Sequence, residues 1–94
     1  MTYATDSRLG QSIKGEGRRL IGWANQSPRR ATFDIVVGVP VSLRRIGSEC
    51  RENGVKGYWW NATVPGRNGK DWTRAAFGDE AAAAMVEGLI LEAY

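Results

Sequence analysis

Arginine, lysine and tryptophan are the residues through which this chain can do chemistry. Thirteen Lys and Arg side chains and four tryptophans stand among 94 residues that include one cysteine and no histidine. Guanidinium and ammonium groups pair with phosphates or carboxylates, and indole rings stack on bases or pack into protein pockets. Without histidine, general acid–base catalysis near neutral pH would fall to a shifted carboxylate or lysine. Ser/His/Asp and Cys/His constellations are impossible, and Cys50 alone cannot build a thiolate–imidazole metal site. Gly15-Glu16-Gly17 and Gly66-Arg67-Asn68-Gly69 are too short for a phosphate loop and lack its Lys-Ser/Thr ending. The expectation is a non-enzyme with no catalytic residues, no cofactor and no metal.

Charge is distributed unevenly. All 13 basic residues precede residue 78, together with six acids, whereas residues 78–94 carry four acids (Asp79, Glu80, Glu87, Glu92) and no base. The formal net charge of +3 therefore hides a basic body and an acidic tail. Such a split points to a polyanion as partner. No run of about 18 apolar residues spans a bilayer, and no apolar stretch follows Met1-Thr2-Tyr3. With an unpaired Cys50, these features predict a cytoplasmic protein with no membrane partner.

The elements that must position these groups are clearest in the last third. Tyr58 to Val64 is aromatic and β-branched, Pro65 to Gly69 is turn chemistry, and Lys70 to Phe77 is a second strand. Asp79 onward reads as a helix: acids in the first turn, four alanines, then Met85, Val86, Leu89, Ile90 and Ala93 completing with Ala82 one apolar stripe. Ala31 to Leu43 is also β-rich. Strict alternation there puts Phe33, Ile35, Val37, Val39, Val41 and Leu43 on one face, and Gly38 and Pro40 signal a bulge, an edge position, or two shorter strands with a bend. Gly47 to Lys56 reads as a loop with a turn at Asn53-Gly54. Arg19 to Ala24 fits a short strand or one helical turn. Residues 1–18 read as a flexible basic arm ahead of a single domain, 19–94. The predicted fold is α+β: a three- to four-stranded antiparallel sheet with one C-terminal helix packed on one face.

Alternation sends Trp60 to the core and Trp59, Asn61 and Thr63 to the uncovered face. The same pattern in the next strand adds Lys70, Trp72 and Arg74, with Arg67 in the turn between them. Arg29-Arg30 and Arg44-Arg45 are doublets placed to clamp a flanking backbone. Rings interleaved with cations on an open sheet suit nucleic acid, where the rings stack and the cations hold phosphates.

The order Gly57-Tyr58-Trp59-Trp60, Pro65-Gly66-Arg67-Asn68-Gly69-Lys70-Asp71-Trp72, Phe77, Glu80-Ala81-Ala82-Ala83 resembles the AP2/integrase N-terminal family of DNA-binding domains. The resemblance covers the C-terminal third. It implies a three-stranded sheet on a C-terminal helix, its free face entering the major groove through Arg67, Lys70, Trp72 and Arg74. The expected function is non-catalytic binding of nucleic acid, with duplex DNA as the partner and single-stranded nucleic acid left open because stacking surfaces serve both. The alternative is a small protein-binding factor, such as phages use against a host or defence protein, with exposed tryptophans as anchors. A homodimer that pairs sheets is a third arrangement.

Overall fold

The computed structural model describes residues 12–27, 31–66 and 68–93. Its last helix, α2, spans Asp79–Ala93 and begins as the sequence predicts. Gly78 (φ 89°) turns the chain, its N–H bonds Tyr58 O at 2.9 Å, and its carbonyl accepts from Ala82 N at 2.9 Å. Ala82, Val86, Leu89, Ile90 and Ala93 of the expected stripe are buried, joined by Ala83, while Met85 packs against them half-buried.

Four strands form one antiparallel sheet in the order β1-β2-β3-β4: β1 Ala31–Val36, β2 Val39–Glu52, β3 Val55–Pro65 and β4 Asp71–Phe77. This is the α+β class expected, with the fourth strand present. Trp60, Ala62 and Val64 of β3 are buried beneath α2, as alternation requires. The Trp60 indole donates to Asp79 Oδ1 at 3.3 Å, so a buried donor is satisfied by the first residue of α2.

A second helix, α1 (Glu16–Gln26), was not foreseen in that form. It places Gly17, Leu20, Ile21 and Ala24 inward at i, i+3, i+4 and i+7. It packs beside α2 on the same side of the sheet, and Asn25 Nδ2 donates to Asp79 Oδ2 at 2.9 Å. Gly17 N donates to Glu87 Oε2 at 2.9 Å. A Cβ on Gly17 would collide with the backbone carbonyl of Ala83, so only glycine permits this approach. Of the expected arm, residues 1–11 lie outside the described residues. Residues 12–18 belong to the packed fold, with Ile13 buried in the core and α1 starting at Glu16.

Two more expectations change. Val37 (φ 46°) and Gly38 (φ 84°) make a two-residue turn that pairs Val36 with Val39. Of the alternatives that Gly38 and Pro40 allowed, the run is two shorter strands, and alternation restarts across the turn. Thr32 and Val36 are buried opposite Leu43 and Val39, whereas Phe33 and Ile35 lie on the uncovered face, not with Val39, Val41 and Leu43. The segment read as a loop is strand as well. β2 and β3 continue past their neighbours as a two-stranded ribbon closed at Asn53 (φ 51°) and Gly54 (φ 80°), with an irregularity between Ile46 and Cys50. The turn stands where Asn-Gly placed it.

Gly17→Ala should lower the unfolding free energy by about 1–3 kcal/mol, the usual cost of overpacking. Urea denaturation followed by circular dichroism measures it, and an unchanged midpoint would contradict the close helix contact.

Candidate functional site

Both helices lie on one side of the sheet, so no described helix covers the other side. Strand register lays its side chains out in rows. One row runs Phe33, Ser42, Thr63, Thr73. The next runs Ala31, Arg44, Asn61, Ala75, and a third runs Ile46, Trp59, Phe77. Phe33 is 60% exposed, Ile35 53%, Ile46 43% and Trp59 37%. Large apolar groups thus stand at two ends of the face, and a band of small or polar side chains lies between them.

Each end has an internal order. Trp59 meets Phe77 edge-on, with ring centroids 5.5 Å apart and planes at 67°. Its indole N–H donates to Glu52 Oε1 at 3.3 Å, from a residue near the tip of the ribbon. In the central band Thr63 and Thr73 hydroxyls are 3.1 Å apart. Asn61 Oδ1 is buried without a hydrogen-bond partner among the described residues. An amide oxygen in that state costs free energy until a donor reaches it.

Of the residues expected on this face, Trp59, Asn61 and Arg44 are there. Trp72 and Arg74 are not. β3 pairs with β4 as Val64↔Trp72, Thr63↔Thr73 and Ala62↔Arg74, so Trp72 and Arg74 share the helix side with Ala62 and Val64. The reason is the connection. It closes on Pro65↔Asp71 and Gly66 N donates to Lys70 O at 2.8 Å, which sets the alternation of β4 one residue away from the expected phase. Trp72 packs against the core and tucks beneath Gly66, where a Cβ would strike the indole. Arg74 lies 5.5 Å from the Trp72 ring and reaches Glu92 of α2 at 3.2 Å. Lys70 is exposed in the turn, off the strand rows.

Arg45 also faces the helix side, opposite Trp60, with its guanidinium 4.7 Å from the Tyr58 ring centroid and 6.0 Å from that of Trp60. It is a cation–π partner of the core rim, not a neighbour of Arg44. Arg29, Arg30 and Arg67 lie outside the described residues. Two further described cations are paired: Lys56 with Glu49 at 3.3 Å, and Arg19 with Glu16 at 3.0 Å and Asp34 at 2.9 Å. Hydrogen bonds to Glu16 and then Asp34 raise the Arg19 pKa above the ordinary arginine value.

No family model matches this chain, and neither the curated proteins nor the solved structures contain a match to it. What it binds must therefore be argued from its own surface. Among the described residues no group of three or more His, Cys, Asp or Glu is placed to hold a metal ion. No described helix is long and apolar enough to cross a membrane.

Sequence reasoning missed Phe33 and Ile35 as surface residues, and Ile46 as their counterpart across the face. The signal for the first two was Gly38, which breaks the run two residues past Val36.

The strand phase is checked by paired substitutions. Trp72→Ala should cost about 3 kcal/mol, as for a large core truncation, and Thr73→Ala within about 0.5–1 kcal/mol. Thermal denaturation that reverses this order would return Trp72 to the open face.

Proposed function

We propose that this chain is a non-catalytic binding module whose uncovered sheet face docks a protein partner. The observation that carries the reading is the exposure of Phe33, Ile35, Ile46 and Trp59 on a single face. Large apolar groups gathered on one surface mark interaction sites more often than they occur by chance on a monomer. Trp59 has the character of an anchor: rigid, large, and already oriented by Phe77 and Glu52. The small polar band between the apolar ends would form hydrogen bonds in the middle of the contact, through groups such as the Thr63 and Thr73 hydroxyls. This is the behaviour of a small inhibitor-type protein that occupies a target's surface.

A second reading keeps the AP2/integrase-like expectation of duplex DNA on the same face. Arg44 and Asn61 are cross-strand neighbours at its centre, and both side-chain types read base edges in the major groove. Among the described residues the face holds few other cations, with Asp71 and Glu52 at its margins. Affinity for a phosphate backbone scales with the number of cations that reach it, which favours the protein partner.

The test immobilises the wild type and a Trp59→Asp/Ile46→Asp chain, checks both for folding, and exposes them to cell lysate. The wild type should retain a defined protein in stoichiometric amount and the double variant should lose it at least tenfold. Mobility shift with duplex and single-stranded probes at two salt concentrations runs alongside. Retention of a duplex that weakens steeply with salt and with Arg44→Ala, without protein capture, would replace the first reading with the second.

A further inference from the structure

Asparagine followed by glycine occurs twice, at Asn53-Gly54 and Asn68-Gly69. Such a pair can react with itself. The backbone nitrogen after asparagine attacks the side-chain amide carbon, and glycine, with no Cβ, leaves the approach open. Both pairs are exposed in connections between strands, yet the fold treats them differently.

At Asn68-Gly69 the two groups that would have to meet are both engaged. Gly69 N donates to Gly66 O at 3.1 Å, and Asn68 Oδ1 accepts from Lys70 N at 3.1 Å. Gly66 N in turn donates to Lys70 O at 2.8 Å. Opening this connection breaks these hydrogen bonds and lifts Gly66 from the Trp72 indole, which packs on the core.

The other pair is free. Among the described residues, neither the Asn53 side chain nor Gly54 N has a hydrogen-bond partner. Residues 47–56 are all exposed, so this turn opens without uncovering the core. That opening is required. With Asn53 at φ 51°, the left-handed turn holds Gly54 N away from Asn53 Cγ, and a ring closes only after the Asn53 backbone rotates.

We propose that Asn53 is a site of spontaneous hydrolytic conversion to aspartate and β-linked aspartate, and that the fold protects Asn68. Gly54 N bonds to Asn53 Cγ, the Cγ–Nδ2 bond breaks, and the side-chain nitrogen leaves as ammonia with the proton from Gly54. Water then adds to the five-membered imide. Opening at the side-chain carbonyl gives aspartate. Opening at the backbone carbonyl gives an aspartate whose chain runs through its side-chain carbonyl. Either product sets a new carboxylate beside Glu52. The β-linked one also adds a backbone atom to a two-residue turn, so the Glu52↔Val55 pair that closes it loses its register. Glu52 accepts from the Trp59 indole at 3.3 Å, and conversion at the tip thereby reaches the uncovered face. The inference does not rest on the proposed function.

Incubation of the folded full chain in mildly alkaline buffer, followed by peptide mass spectrometry, tests it. The peptide holding Asn53 should convert at least tenfold faster than the one holding Asn68. A methyltransferase specific for β-linked aspartate should label it. In urea the two rates should come within a few-fold of each other, because the contrast belongs to the fold. Asn53→Gly keeps the left-handed turn without the amide, and its main acidic form on ion exchange should disappear. In the converted wild type the Trp59 indole N–H resonance should move. Equal conversion of the two sites in the folded chain, faster conversion of Asn68, or none at either overturns the inference. So does a tenfold contrast that persists in urea, since sequence and not fold would then decide. An unmoved Trp59 resonance overturns the extension to the face.

Discussion

The contact between Gly17 and the Ala83 carbonyl determines how this domain is layered. Neighbouring strands are about 4.8 Å apart, so the outer strands of a four-stranded sheet are separated by about 14 Å. Two helices side by side at about 8–10 Å cover that width, but only if nothing holds them apart. Glycine at the crossing point lets them sit together on one side. The chain then has no further described helix for the other side, and the bare face follows from that shortage. Asp79 strengthens the arrangement by receiving Asn25 from α1 and the Trp60 indole from β3 with its two carboxylate oxygens.

The charge split seen along the chain acquires a different meaning in space. Among the described residues the bases of the body do not gather on the uncovered sheet face, although α2 carries four acids and no base. Arg74 reaches across to Glu92, Lys56 to Glu49, and Arg19 to Glu16 and Asp34. Exposed pairs of this kind contribute little stability, with a median of about 0–1 kcal/mol, but they fix where a guanidinium points. Among the described residues only Arg74–Glu92 joins body to tail, so segregation in sequence was a poor guide both to which residues neutralise one another and to which surface they leave charged.

The sequence made some elements plain and hid others for identifiable reasons. α2 could be read because acids, alanines and a single stripe agree, and β3 because Trp60, Ala62 and Val64 alternate against Trp59, Asn61 and Thr63. β4 has no such contrast. Thr73, Ala75 and Phe77 are as plausible a buried set as Trp72, Arg74 and Ala76, so phase was decided by the connection and not by composition. The β1–β2 turn was masked by Val37, a β-branched residue in a left-handed conformation that such side chains rarely adopt. α1 was obscured by Gly15, Gly17 and Gly22, which depress helix propensity, although Gly17, Leu20, Ile21 and Ala24 carry helical spacing once glycine counts as an inward residue. Half of the expected face was therefore legible, and the half that failed did so through loop-length parity.

The ribbon formed by the outer ends of β2 and β3 has a practical meaning of its own. It extends beyond the helix layer, residues 47–56 are all exposed, and a two-stranded hairpin without a core beneath it is marginal by itself. Its amides will exchange with solvent sooner than those beside Trp60, because opening the tip disturbs no buried contact. That independence makes Asn53-Gly54 the natural place to splice in a foreign peptide, a lever the domain can carry without its interior registering the load.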